Sequence, residues 1–145
     1  MCEQEESNVT SGAGSWNLFD HILWSTRPLF SLSRRSWNPP ADVSETPERL
    51  YIHMDIAGVS PDGLSVTLEH GNLIIRGKRC HRSPGEEEEF HVMEIRYGCF
   101  ERVFRLPVSV VEDGIRASYR DGLLDIEIPK GRGEGKVVNI TVREG

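Results

Sequence analysis

From Ala41 to Pro129 apolar side chains recur at every second position, and no other feature limits the fold of this chain so tightly. Leu50, Ile52, Met54 and Ile56 alternate with Tyr51, His53 and Asp55; Leu64, Val66 and Leu68 alternate with Ser65, Thr67 and Glu69. Successive side chains of a strand point to opposite faces, so this spacing describes half-buried antiparallel strands and not helices. Leu73-Ile74-Ile75 follows His70-Gly71-Asn72, and further runs extend over Val103 to Val108, Ile115 to Tyr119 and Leu124 to Ile128. The last two are joined across Asp121-Gly122, a pair that suits a tight hairpin because its central residues tolerate positive φ. Short strands punctuated by turns, with no convincing internal helix, predict an all-β fold, a β-sandwich.

Two extensions flank this region: 1–40 is a separate N-terminal arm, 41–129 the domain, and 130–145 a tail. In the tail, the glycine-rich, charged stretch Gly131 to Lys136 gives way to Val138-Asn139-Ile140-Thr141-Val142. The ribbon has no partner within its own segment, so it must find a sheet edge or groove. The most economical provider is a second copy of the same chain. Two docking pairs are open, Val138/Ile140 and Ile140/Val142, of which the first is preferred. The glycines before the ribbon read as a tether: their spacing is wrong for a phosphate-binding loop, and Val137 follows Lys136.

The arm holds all three tryptophans, Trp16, Trp24 and Trp37, with Phe19 and Phe30. Trp16, Phe19 and Leu23 fall at i, i+3 and i+7 behind Ser15, a spacing that predicts a short amphipathic helix with a serine N-cap. Such a helix can pack on its own domain or serve as a sticky arm; helices this short are marginal alone. Arg79 to Glu89, with Cys80, His81, Pro84, Gly85 and four successive glutamates, is a long charged loop projecting between two strands.

A formal charge of −6 argues against nucleic acid or an anionic membrane as partner. No stretch approaches the length of a membrane span. Met1 to Glu6 is acidic with no apolar run behind it, so no secretory leader is expected and a reducing cytoplasm is the expected compartment. Three cysteines, Cys2, Cys80 and Cys99, show no C-x-x-C spacing, and the five histidines lack metal-ligand spacing, so no metal or cofactor is expected. A cysteine hydrolase around Cys99 lacks an assembled base and oxyanion donors, so no catalytic residue is assigned.

One residue breaks the pattern. Phe100, Arg102, Phe104 and Leu106 share a face, which places a guanidinium on the apolar side of its strand. There it must hold a carboxylate or several carbonyls, or else snorkel to solvent at the rim. Arg102 is expected to be structural and close to a subunit contact.

Several segments, in order, resemble small heat-shock proteins of the bacterial type. Pro40-Ala41-Asp42-Val43, Leu50 to Val59 and Gly71 to Gly77 resemble that family's opening strands. Gly98-Cys99-Phe100-Glu101-Arg102-Val103-Phe104-Arg105-Leu106-Pro107 is similar to its G-x-F-x-R-x-F-x-L-P signature, and Ala117 to Leu124 to its A-x-x-x-n-G-v-L motif. The resemblance spans about Pro40 to Pro129 and implies an α-crystallin domain, an immunoglobulin-like sandwich that dimerises by exchanging a strand carried in the long loop, near Arg79 to Phe90. Arg102 and Phe90 are then the expected dimer contacts. It implies equally that the tail, through Val138, Ile140 and Val142, docks between the sheet edges of a neighbouring subunit, in a groove lined by Val66, Leu68, Ala117 and Tyr119. The expected function is that of an ATP-independent chaperone binding partly unfolded proteins, with Trp16, Phe19, Leu23, Trp24 and Phe30 as client contacts. The alternative is a p23-like or CS-domain co-chaperone adaptor, which shares a similar sandwich but needs neither the exchanged loop nor the plugging tail.

Overall fold

The computed structural model describes residues 37–82, 88–106 and 109–145. Nine strands follow in order: β1 Ala41–Glu45, β2 Arg49–Asp55, β3 Ser65–Glu69, β4 Asn72–Arg79, β5 Gly98–Arg105, β6 Arg116–Arg120, β7 Leu123–Pro129, β8 Val138–Ile140 and β9 Val142–Glu144. They form a five-stranded sheet in the order β1-β2-β7-β6-β9 and a four-stranded sheet in the order β5-β4-β3-β8. The chain is all-β, an immunoglobulin-like sandwich in which short 3₁₀ turns at Pro61–Gly63 and Glu112–Gly114 are the helical elements among the described residues.

The alternation read from the sequence becomes the core. Leu50, Ile52 and Met54 of β2 stand beside Ile128, Ile126 and Leu124 of β7 in one sheet, and together with Ile56 and with Leu73 and Ile75 of the other sheet they form the core, all nearly inaccessible to water. Full burial of each such side chain contributes about 1.5–3 kcal/mol, so this interior is the main stabilising element. Both hairpins obey their turn chemistry. His70-Gly71 joins β3 to β4 and Asp121-Gly122 joins β6 to β7, each with positive φ at both residues. β1 was less legible, because Ala41 and Val43 are the only apolar residues in it; it is placed by its register against β2, with Val43 opposite Ile52.

Trp37, at the end of the arm, belongs to the interior. It is buried, its Nε1 donates to the Gly98 carbonyl at 3.0 Å, and its ring meets Phe100 edge-on at 5.2 Å. The Arg79 guanidinium lies over its other face at 3.8 Å. Phe100 in turn needs Gly77 opposite it in register, because a Cβ there would strike the phenyl ring.

Candidate functional site

Two strands of the sandwich, β3 in one sheet and β6 in the other, end their sheets on the same side of the molecule, and the tail closes both. β8 runs antiparallel to β3, with Val66 opposite Ile140 and Leu68 opposite Val138. The chain then passes Thr141, and β9 runs parallel to β6, with Ala117 opposite Val142 and Tyr119 opposite Glu144. Each of the four groove residues named from the sequence thus stands opposite a residue of the ribbon. Ile140 is buried in the main core, and Val142 is half-buried against it. Val138 contributes its place in the β3 ladder, and within this chain Ile140 and Val142 are the ribbon residues that pack on the core. The reason is geometric: the ribbon crosses from one sheet to the other at Thr141, which puts Ile140 and Val142 on either side of the crossing.

Polar contacts fix the register. Thr67 Oγ1 donates to Asn139 Oδ1 at 3.2 Å, and the Gly145 N–H donates to the Tyr119 carbonyl at 3.2 Å. The Tyr119 hydroxyl donates to the Ile56 carbonyl at 3.2 Å. Desolvation, with the charge of Asp55 second, pushes that phenol above its ordinary value.

Within the single chain described, the ribbon occupies the chain's own groove. The physical reason lies in the short connection from Pro129, which keeps the ribbon beside its parent at an effective concentration on the order of millimolar. That connection is also bonded to the domain. The Gly131 N–H donates to the Ser109 carbonyl at 3.0 Å, and the Glu112 carboxylate accepts the N–H groups of Glu134 at 3.1 Å and Gly135 at 2.7 Å. The Glu112 carboxyl is held below its ordinary value: its own backbone N–H dominates, desolvation opposes, and Gly135, Glu134 and the charge of Lys136 add to the lowering. The sequence reading missed Glu112, which no motif marks.

The long loop forms a second exposed region. The described residues between β4 and β5 contain no strand. His81 meets Phe90 at 5.4 Å and Tyr97 at 5.0 Å, both edge-on, while the Arg79 Nε donates to the Arg96 carbonyl at 2.8 Å. Phe90 is half exposed, and Val92, Met93 and Ile95 beyond it are more exposed still. Among the described residues β1 leaves its outer edge unpaired.

Arg102 lies on the inner face of β5, 8% exposed, between Phe100 and Phe104. Its Nη1 donates to the Pro39 carbonyl, its guanidinium lies 5.0 Å from the Phe104 ring centroid, and its Nε has no partner among the described residues. Among the described residues it forms no ion pair, and desolvation lowers its pKa. The five arm residues assigned to client contact, Trp16, Phe19, Leu23, Trp24 and Phe30, and the helix predicted around them lie outside the described residues.

Comparison with known proteins agrees with this geometry. The model of the Hsp20/alpha crystallin family matches residues 42–143. The small heat shock protein C2 of Rickettsia felis is 29% identical over 129 residues, covering 88% of this chain and 83% of its own. The crystal structure of hspA from Xanthomonas axonopodis superposes with a TM-score of 0.59 at 41% identity, covering 65% of this chain and 94% of that one. A small heat-shock protein from Xylella fastidiosa, whose structure is described as revealing a distinct high order structure, gives a TM-score of 0.59 at 40% identity, covering 65% and 86%. With its sandwich, its signature strand around Arg102 and a family match that includes the ribbon, this chain belongs to the Hsp20/alpha crystallin family and is a small heat-shock protein.

Proposed function

We propose that this protein is an ATP-independent chaperone that holds partly unfolded proteins and prevents their aggregation, assembling through exchange of structural elements between copies. Membership of its family supports a chaperone role over an enzymatic one. The observation that carries the reading is the ribbon in its groove: three residues paired to β3 and three to β6, anchored by one buried isoleucine. A contact that small is worth only a few kcal/mol and is readily shifted by heat. Leaving the groove, the ribbon can enter that of a sister molecule, and the apolar groove is exposed meanwhile.

Dimer formation uses the loop. Phe90, Val92, Met93 and Ile95 present an apolar stripe to solvent, and β1 offers an unpaired edge, so a partner's loop can add a strand there. In this reading Arg102 belongs near this contact. Client contact is assigned to Trp16, Phe19, Leu23, Trp24 and Phe30 of the arm, while the acidic domain keeps complexes dispersed. No helix among the described residues is long and apolar enough to cross a membrane. The cytoplasm is the proposed compartment, and neither nucleic acid nor a cofactor is needed.

Suppression of light scattering from a heated client protein, without nucleotide, tests the activity; serine at the five arm positions should abolish it. Size-exclusion chromatography with light scattering on the full chain and on a chain ending at Lys130 tests the assembly. A large particle that collapses to dimers on truncation is expected, and a monomer in both cases overturns the reading.

A further inference from the structure

The linker between sandwich and ribbon has a tether's composition, yet its backbone is gripped. Lys130 bridges to Val110, Gly131 donates to Ser109, and two successive N–H groups, of Glu134 and Gly135, converge on the oxygens of one carboxylate. Successive N–H groups around a left-handed residue make a small anion-binding concavity, and Gly135, at φ 72°, supplies that residue. The anion is Glu112, which opens the 3₁₀ turn Glu112–Gly114 and is itself buried. Gly133 completes the fit. A Cβ there would overlap the Val110 carbonyl oxygen and both carboxylate oxygens of Glu112, so a side chain at this position would push the linker away.

The grip controls reach. With Gly135 held, only Lys136 and Val137 precede β8. Two residues extend at most roughly 7 Å, too little to carry the ribbon to another molecule. With the grip released, the free segment begins at Arg132, and its six residues extend up to roughly 20 Å. Charged residues on the elements beside the carboxylate include Asp113 in its own turn and, on the linker, Arg132 and the Lys136–Glu134 pair.

The geometry points to Glu112 as a latch: its carboxylate grips the linker and so holds the ribbon in the chain's own groove. The latch is a property of a single chain. Its consequence, that release makes the ribbon available to a second copy, rests on the assembly reading proposed above.

Four full-length variants test it, with hydrogen exchange of residues 134–145 as the first readout and binding of a labelled peptide comprising residues 136–145 as the second. Glu112→Ala removes the acceptor, Glu112→Gln keeps its shape, Gly133→Ala displaces the linker from the opposite side, and Ile140→Ser supplies the emptied groove for reference. In Glu112→Ala and Gly133→Ala, residues 134–145 should exchange about tenfold or more faster, with Glu112→Gln between them and the parent. Peptides from β2 should be unchanged, which separates unlatching from global unfolding. Apparent peptide affinity should rise in the same order, because affinity scales with the fraction of open grooves. Unchanged exchange over 134–145 in Glu112→Ala and Gly133→Ala, alongside fast exchange in Ile140→Ser, overturns the latch. Faster exchange with no peptide uptake even by Ile140→Ser supports the latch and overturns the exchange between copies instead.

Discussion

Ile140 lies in register with Val66, and through that pairing the last buried side chain of the chain closes the open end of the sandwich. Val138 and Val142 are half-buried and the residues between them and Ile140 are exposed, so the docking energy is concentrated in one residue.

Ile140→Ala should therefore undock the ribbon. The lost contact is worth about 2–5 kcal/mol, as for other buried isoleucine truncations. It should appear as fast amide exchange over β8 and β9, with the melting temperature of the sandwich almost unchanged. Val138→Ala should have a much smaller effect in the same measurement, since Val138 pairs with Leu68 without joining the core.

Gly77→Ala and Trp37→Ala should both destabilise the domain, by opposite means. The first forces a methyl group against the Phe100 ring, an overpacking that costs about 1–3 kcal/mol. The second empties a buried site and leaves the Gly98 carbonyl without its indole donor, at about 3–5 kcal/mol. Urea denaturation should show both as lower midpoints. A double variant, Gly77→Ala with Phe100→Leu, should recover part of the first loss.

Arg102→Ala should lower stability by about 3 kcal/mol, because it leaves a cavity and an unpaired Pro39 carbonyl. Arg102→Leu should cost less, since leucine refills the space and removes a guanidinium whose Nε is unsatisfied. A thermal midpoint and an oligomer size both unchanged in Arg102→Leu would show that the residue has no structural role at any contact.

Acid should loosen the linker through Glu112. Its carboxyl in the docked state is held below the ordinary value of 4.5. A lowered value means that the latch contributes fully above pH 4.5 and is lost as pH falls through the docked-state value, with no change towards neutral or alkaline pH. The backbone amide resonance of Gly135, followed by NMR on acidification, should report the release, and Glu112→Gln should flatten that titration.

Replacing Val92 and Ile95 by serine should leave the melting temperature of the sandwich within about 0.5 kcal/mol equivalent, as expected for exposed positions. If the loop makes the dimer contact, the same double variant should lower the sedimentation coefficient.

Much of the domain was legible because its strands are half-buried and their parity is visible residue by residue. Leu50 to Ile56 and Phe100 to Phe104 could occupy one face only, which put even the inward Arg102 in view. Asp121-Gly122 and His70-Gly71 announced turns through φ values that few other residues accept. The inclusion of Trp37 in the core, the placement of β1 and the direction in which the loop folds have no such local sign, since each depends on partners that are distant in the chain, such as Gly98 and Ile52. The same holds for the tail. An alternating ribbon states that it will pair with an edge, but edges on one copy and another are chemically identical, so periodicity is silent on which is taken. What the tertiary structure adds is a contact with no local sign: the carboxylate of Glu112, 23 residues away, accepts the N–H of Gly135 over a glycine that permits the approach.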